Sequence, residues 1–405
     1  MKNLSLRVKL LGGFLLTAAI TLIVGALAYV QLTSLASKSS EITTLDLPGV
    51  QESLTIKAEL SAAGQALRTL MSSEVARDAR VRQYKNIEAA RAKYSAAVEA
   101  YSKHDVSPEA KALFQDLKAR LDASRVANNK ALELAKHFDE ADILKPDELM
   151  GDLQQFRGDH YRLEAQLLEL ILNGTKFEGG EDHTACNFGK WLATFKTSNA
   201  AVNDSLRAIQ ESHARFHQSA AEIKKLVAGG GGGKARAMLA EVTKPSAEKV
   251  FDEFRKMTGV ARTSQEQLGA LVGILFGESR EAMNAALAAA EALSAYHKKG
   301  AEQASADLSV SAALSKAVAL AGMVLGVLIA VILGLVLTHS ITRPVMQGVA
   351  FAKAMAEGDF TKTLDINQKD EIGVLASALN DMVLRLRQVV ADVRGATDNV
   401  ASGSE

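Results

Sequence analysis

Two stretches without a formal charge constrain this chain more than any other feature. No Asp, Glu, Lys or Arg lies between Lys9 and Lys38, and Leu10 to Val30 is almost wholly apolar. A second such gap runs from Lys316 to Arg343, and Ala317 to Leu337 within it has no polar side chain. Each run is about 20 residues, enough for a helix to cross a hydrocarbon core of about 30 Å. Backbone groups in lipid must bond within their own segment, so both runs are helices and the bilayer is the chain's first partner. Lys2, Arg7 and Lys9 precede the first run and Arg343 follows the second. Positive flanks stay inside, which puts both termini in the cytoplasm and residues 32–316 outside, in a two-span protein of the inner membrane. Ala26-Leu27-Ala28 has the form of a signal-peptide cleavage site. The apolar run exceeds the about 7–15 residues of a signal peptide, however, and no turn former precedes the cut, so a retained anchor is expected.

Between the spans the composition points to helices. Aromatic residues make up only 5%, there are five prolines, and Ala, Leu, Glu and Lys are abundant. An all-α fold is expected and an α/β enzyme disfavoured. The charge balance, 47 basic against 47 acidic, argues against a nucleic-acid partner held by bulk electrostatics. One cysteine excludes an intramolecular disulfide and a Cys-x-x-Cys redox pair.

The breakers punctuate this segment. Pro48-Gly49 interrupts the first external helix, Ser107-Pro108 and Lys145-Pro146 open helices, and Asn173-Gly174 closes one. Gly229 to Gly233 is a glycine run expected to lie outside regular structure, and Thr243-Lys244-Pro245 opens a further helix. From Glu278 to Leu337 only Gly300 weakens the pattern, so the last helix runs into the second span. Leu149, Leu153, Phe156, His160, Leu163, Leu167 and Leu170 follow a 4-3-4-3 spacing along one helix face. Val202, Leu206, Ile209, His213, Phe216, Ala220, Ile223 and Val227 form a second seam. Such seams bury against neighbours, and the length suits two stacked bundle modules.

His160 and His213 stand in those seams where the pattern calls for Leu or Ile, and His217 lies one turn beyond His213 on the same face. Four of the eight histidines fall within residues 160–217, around the sole cysteine, Cys186. Three imidazoles and a thiolate make a closed tetrahedral donor set for zinc and satisfy nitrogens that are costly to bury unpaired. Taken singly, each residue has a plainer reading: a hydrogen-bonded core histidine, a surface pair, a small apolar cysteine or an intermolecular disulfide across a dimer.

The stretch Cys186-Asn187-Phe188-Gly189-Lys190-Trp191, preceded by His160 and followed by His213-x-x-x-His217, resembles the chemoreceptor zinc-binding domain, a small four-helix bundle. The resemblance covers about 75 residues, within 148–228, and implies a zinc ion held by His160, Cys186, His213 and His217. His183, three residues before the cysteine, competes with His160 for the fourth place. Lys190 and Trp191 are expected to support and pack the site. A closed set leaves no open coordination position, so sensing or structure is expected rather than catalysis, with no catalytic residue. The resemblance also implies that the metal-held thiolate responds to oxidants or zinc availability, which fits thiolate chemistry. No pattern in residues 50–145 names a stimulus.

After the second span, Ile341, Val345, Gly348, Ala352 and Met355 keep a 4-3-4-3 spacing up to Gly358-Asp359-Phe360. Ile372, Leu375, Leu379, Met382, Leu386, Val389 and Val393 continue in heptad register. Two short amphipathic helices cannot enclose a core alone, whereas two chains make a parallel four-helix bundle, so a homodimer is expected. Pro344 and Asp370-Glu371-x-Gly373 stand at the two landmarks of a HAMP domain, which this tail resembles. The last residues resemble the start of the methylation helix of a methyl-accepting chemotaxis protein. The resulting layout is a cytoplasmic 1–9, a span over 10–31, a helical sensor over 32–316, a span over 317–338, a HAMP domain over 339–391 and the start of a signalling coiled coil over 392–405. The expected function is transmembrane signalling from an outside stimulus. A histidine kinase or diguanylate cyclase would share this architecture. The chemotaxis coupling protein and kinase are partners only if a signalling hairpin follows residue 405.

Overall fold

The computed structural model describes residues 4–402. Among these the regular structure is entirely helical, and the chain divides into two units: Thr44–Gly300, and the residues up to Thr43 together with Ala301 onward.

All five prolines sit where a helix can absorb them, in two ways. Pro108 and Pro146 occupy the first turn of α3 (Pro108–Ala141) and α4 (Pro146–Asn173), where the missing N–H would have no partner anyway. Pro48, Pro245 and Pro344 lie instead inside continuous helical rod, and a five-residue π-turn ends two residues before each, at Ile42–Asp46, Leu239–Thr243 and Thr338–Thr342. A proline removes the hydrogen bond to residue i−4 and its ring crowds that carbonyl, and widening the helix by one residue relieves both. Pro48-Gly49 therefore does not interrupt the helix as expected. It follows a widened turn and leads straight into α1 (Leu47–Thr69).

In the unit 44–300, α1, α2 (Arg77–Tyr101), α3 and the first part of a 60-residue helix, α8 (Glu278–Leu337), form a four-helix bundle. Its core includes Ile56, Leu60, Tyr94, Leu117, Leu121 and Leu293. A buried polar chain crosses this bundle: His297 Nδ1 lies 3.0 Å from Asp46 Oδ1, and its Nε2 lies 2.7 Å from the Tyr101 hydroxyl. Between α3 and α8 the chain leaves the bundle and builds a second module. This comprises α4, a short α5 (Asn187–Thr194), α6 (Ala200–Ala228), a helical segment at Gly232–Met238 and α7 (Lys244–Phe276). Asp142, in the left-handed region at φ 53°, makes the corner between α3 and α4, and its carboxylate accepts from the Ser198 N–H and hydroxyl.

The glycine run differs from expectation in part. Gly229 to Gly231 connect α6 to the next helical turn, but Gly232 and Gly233 belong to that turn. First-turn N–H groups need no intrahelical partner, and Lys234 to Met238 are good helix formers that carry the segment.

In the other unit the two helices long and apolar enough to cross a membrane, within Leu6–Thr69 and Gly232–Ala356, carry mostly exposed apolar side chains. Lys38 pairs with Asp307. After the second apolar run come α9 (Arg343–Ala356) and α10 (Glu371–Ser402), which pack through Phe351, Ala376 and Val383 with Leu364 of the connector. Asn380 fixes that connector, accepting from the Leu364 N–H and donating to its carbonyl, both at 2.8 Å. The stripe buried within one chain is Pro344, Gly348, Phe351 and Ala354, followed on α10 by Ile372, Ala376 and Val383. Only Gly348 and Ile372 of these lie on the expected heptad positions, while Leu375, Met382, Leu386 and Val389 remain exposed.

Candidate metal centre

The predicted seams become buried faces. Leu153, Phe156, His160, Leu163 and Leu167 of α4 face Val202, Leu206, Ile209, His213, Phe216 and Ala220 of α6 across one core. His160, His213 and His217 are each at most 3% exposed. The segment 175–186 leads Cys186 to the N-terminus of α5, where it caps the helix and its sulfur accepts from the Gly189 N–H at 3.2 Å. One ligand atom from each of His160, Cys186, His213 and His217 falls within 4.8 Å of the other three.

The hydrogen bonds assign the free face of two rings. His160 Nδ1 donates to the Phe156 carbonyl at 2.6 Å, and His217 Nδ1 donates to the Gly180 carbonyl at 2.9 Å. That leaves Nε2 of both buried without a partner. His213 Nε2 lies 3.3 Å from Cys186 Sγ. Two orphaned buried imidazole nitrogens cost about 1–3 kcal/mol each, and a metal ion is the ligand that this donor set would accept. The residues present therefore fit zinc.

The electrostatics prepare the same state. Burial pushes His213 down to about 2, helped by the neighbouring rings of His217, His160 and His183. Burial likewise takes His217 down to about 4 and lowers His160. All three imidazoles are thus neutral at pH 7, the form that binds metal. Burial pushes the Cys186 thiol up against the N–H groups of Gly189 and Phe188, so without metal it holds its proton.

His183 is exposed and stands outside the cluster. Its carbonyl accepts from Cys186 Sγ, and its ring lies 5.8 Å from that of His213. Trp191 stacks on Phe195 at 4.2 Å between ring centres and packs near Phe156 and Phe188, the latter 4.9 Å from the His213 ring. Lys190, expected beside the site, is exposed, and its side chain makes no hydrogen bond or ion pair among the described residues. At its place in α5 it points away from the seam that Phe188 fills.

Three contributors carried little signal in the sequence. Gly180, at φ 91°, presents the carbonyl that orients His217. Lys224 donates to the Gly179 carbonyl and pairs with Glu181, which anchors the segment leading to the cysteine. A Cβ on Gly189 would stand 2.1 Å from the His183 carbonyl, so only glycine lets this turn close. The Cys-x-x-Gly spacing was the visible trace of that last contact.

The HAMP landmarks also have identifiable work. Pro344 frees the Ser340 carbonyl, which accepts from Gln368 Nε2 at 3.3 Å. Asp370 caps α10 by accepting from the N–H groups of Ile372 and Gly373, and it pairs with Lys9, while Glu371 accepts from the Leu6 N–H at 2.6 Å. A Cβ on Gly373 would lie 1.8 Å from the Gln368 carbonyl.

Comparison with known proteins gives the same modules. Residues 3–145 match the four helix bundle sensory module for signal transduction, residues 160–224 the chemoreceptor zinc-binding domain, and residues 336–388 the HAMP domain. The methyl-accepting chemotaxis protein McpA of Bacillus subtilis (strain 168) is 42% identical over 62 residues, 15% of this chain and 9% of that protein. The methyl-accepting chemotaxis protein TlpA of the same organism is 47% identical over 45 residues, 11% of this chain and 7% of that protein. The chain thus spans under a tenth of the length of the curated relatives it matches. No solved structure matches it. Sensor bundle, zinc-binding-type module and HAMP domain on one chain are the composition of a chemoreceptor of the methyl-accepting type.

Proposed function

We propose that this chain is the sensing and relay part of a homodimeric inner-membrane chemoreceptor. Residues 32–316 form its extracytoplasmic sensor, the spans run over 10–31 and 317–338, and residues 339–391 form the relay inside. His160, Cys186, His213 and His217 hold a zinc ion in the sensor. The ion's chemistry there is to keep the Cys186 thiolate deprotonated, and so oxidisable, while binding the helices of the module together. The chain's own residues set the rest. Phe156 and Gly180 aim the two Nε2 atoms, Gly189 lets Cys186 cap α5, and Phe188 and Phe216 pack against the His213 and His160 rings.

The observation that carries this reading is the pair of orphaned Nε2 atoms facing the sole cysteine, in a module inserted between the third and fourth helices of a sensor bundle. Oxidation of the sulfur or loss of zinc would loosen the module. Through α7 and α8 it would then favour one packing of the relay over another, to the extent that the two packings differ in free energy. The exposed apolar positions Leu375, Met382, Leu386 and Val389 support a second chain as the other half of the relay bundle. The chemotaxis coupling protein and kinase join as partners only if a signalling hairpin follows residue 405.

Metal analysis of the purified full chain tests the site. About one zinc per chain is expected for the wild type, and none after dialysis of Cys186→Ala or His213→Ala. Wild-type protein that carries no zinc when refilled with it would refute the assignment.

A further inference from the structure

We infer that the cytoplasmic end of the first span is a working part of the relay: Lys9 and the Leu6 N–H hold the start of α10, while α9 continues the second span. The inference rests on the two-span reading above and adds an anchor that the two relay helices do not themselves contain.

The helix that carries the first span, Leu6–Glu41, and α10 begin against one another through two carboxylates. Asp370 divides its oxygens between them. Its Oδ1 accepts from the N–H groups of Ile372 and Gly373 in α10, at 3.1 and 3.2 Å. Its Oδ2 takes the Lys9 ammonium, and both side chains of that pair are fully buried. Glu371 Oε2 accepts from the Leu6 N–H at 2.6 Å. No carbonyl of its own helix can reach that first-turn N–H, and a carboxylate there also meets the positive end of the helix dipole.

Membrane topology does not explain the buried pair. A positive residue keeps the flank of a span inside without needing a partner, and Arg7, two residues before Lys9, is exposed. Lys9 is 1% exposed. Taking two charges out of water is costly, and an apolar pair of similar volume would commonly serve stability as well. What a buried ion pair supplies is register, because any other alignment of α10 on the first span leaves a charge unpaired.

The other relay helix is attached differently. α9 follows the second span through the π-turn Thr338–Thr342 with no break in the helical rod. The connector's own tie to that span is a neutral bond, from Gln368 Nε2 to the Ser340 carbonyl at 3.3 Å, weaker than a charge-assisted one. With α10 held to the first span and α9 continuous with the second, a shift of one span against the other becomes a shift of α9 against α10 within one chain.

Amide hydrogen exchange of the full chain in nanodiscs tests the inference. Lys9→Met/Asp370→Asn removes both charges and keeps a capping side chain on α10. Residues 5–10 and the first turn of α10 should exchange about tenfold faster than in the wild type, as loss of a charge-assisted contact does. Residues 345–355 and 380–389 should keep wild-type protection. Glu371→Ala is the milder variant that decides if the double one unfolds the relay: residues 5–8 should exchange faster with the ion pair intact. Arg7→Gln removes a charge from the same flank and should change none of these segments. Protease applied to inside-out vesicles reads separately whether both segments are cytoplasmic, so a wrong topology and an absent anchor give different results. Wild-type exchange at residues 5–8 in either anchor variant, an equal effect from Arg7→Gln, or the two segments on opposite sides of the membrane would each overturn the inference.

Discussion

Acidification of the metal-free protein probes the buried histidines directly, because burial has moved them far from the ordinary value of about 6.5. His213 is held down to about 2 and His217 to about 4, so at pH 5 both stay neutral in the folded chain while both take up a proton in the unfolded one. The unfolded state then binds more protons, and stability falls with falling pH once the unfolded value is passed. From pH 7 to pH 5 the loss is roughly 2 kcal/mol per imidazole, about 4 kcal/mol for the pair, a large share of the 5–15 kcal/mol typical of a domain. Glu164 acts in the opposite sense. Burial pushes its carboxyl up to about 7, so the folded chain holds a proton that the unfolded chain releases. Its half-exposed position makes this contribution smaller, and a Glu164→Gln background removes it. Trp191, the sole tryptophan, stacks within the module and reports its unfolding by fluorescence. Urea melts of the metal-free Glu164→Gln chain should lose at least about 4 kcal/mol between pH 7 and pH 5, His160 adding a loss of the same sign. Adding His213→Leu should cut that loss by about 2 kcal/mol. A flat profile, or a slope untouched by His213→Leu, would refute the claim that these imidazoles are buried and neutral.

Three further predictions follow from single contacts. Gly189→Ala drives a methyl into the His183 carbonyl, so zinc content should fall well below one per chain in metal analysis while far-ultraviolet circular dichroism changes little. His217→Leu removes an orphaned buried nitrogen and its bond to Gly180; metal-free stability by urea melt should change by no more than about 1 kcal/mol. Added zinc should then no longer raise the melting point, a gain of about 2.7 kcal/mol in the wild type at a hundredfold excess over Kd. Met382→Glu with Val389→Glu puts charge on the exposed stripe of α10, and crosslinking in membranes should show the dimer lost while zinc content is kept.

Much of this was legible in sequence because burial leaves a periodic trace. The helical class follows from composition and the seams of α4 and α6 from spacing; His160 and His213 stood out as polar residues on apolar positions, and His217 as the histidine one turn beyond His213. Cys186 was legible as the sole cysteine among four histidines and through the Cys186-to-Trp191 stretch that resembles the chemoreceptor zinc-binding domain. What sequence hid is backbone chemistry. The Phe156 and Gly180 carbonyls that orient two rings belong to residues whose side chains say nothing of the role. The π-turns before Pro48, Pro245 and Pro344 were invisible because proline announces a lost hydrogen bond but not how the helix recovers it. Lys190 was misplaced for a similar reason. Neighbouring Trp191 in a motif does not put two side chains on one side of a helix. The relay stripe shifted because heptad spacing marks every apolar face, including the one left for a second chain.

The most direct test of the account uses the chain's one cysteine as both ligand and topological marker. A membrane-impermeant maleimide is added to intact spheroplasts, with and without prior zinc chelation, and again after lysis. Cys186 is expected to be labelled in intact spheroplasts once zinc is removed and to be protected while zinc is bound. Labelling that needs lysis would contradict the extracytoplasmic sensor, and labelling indifferent to chelation would contradict the metal site.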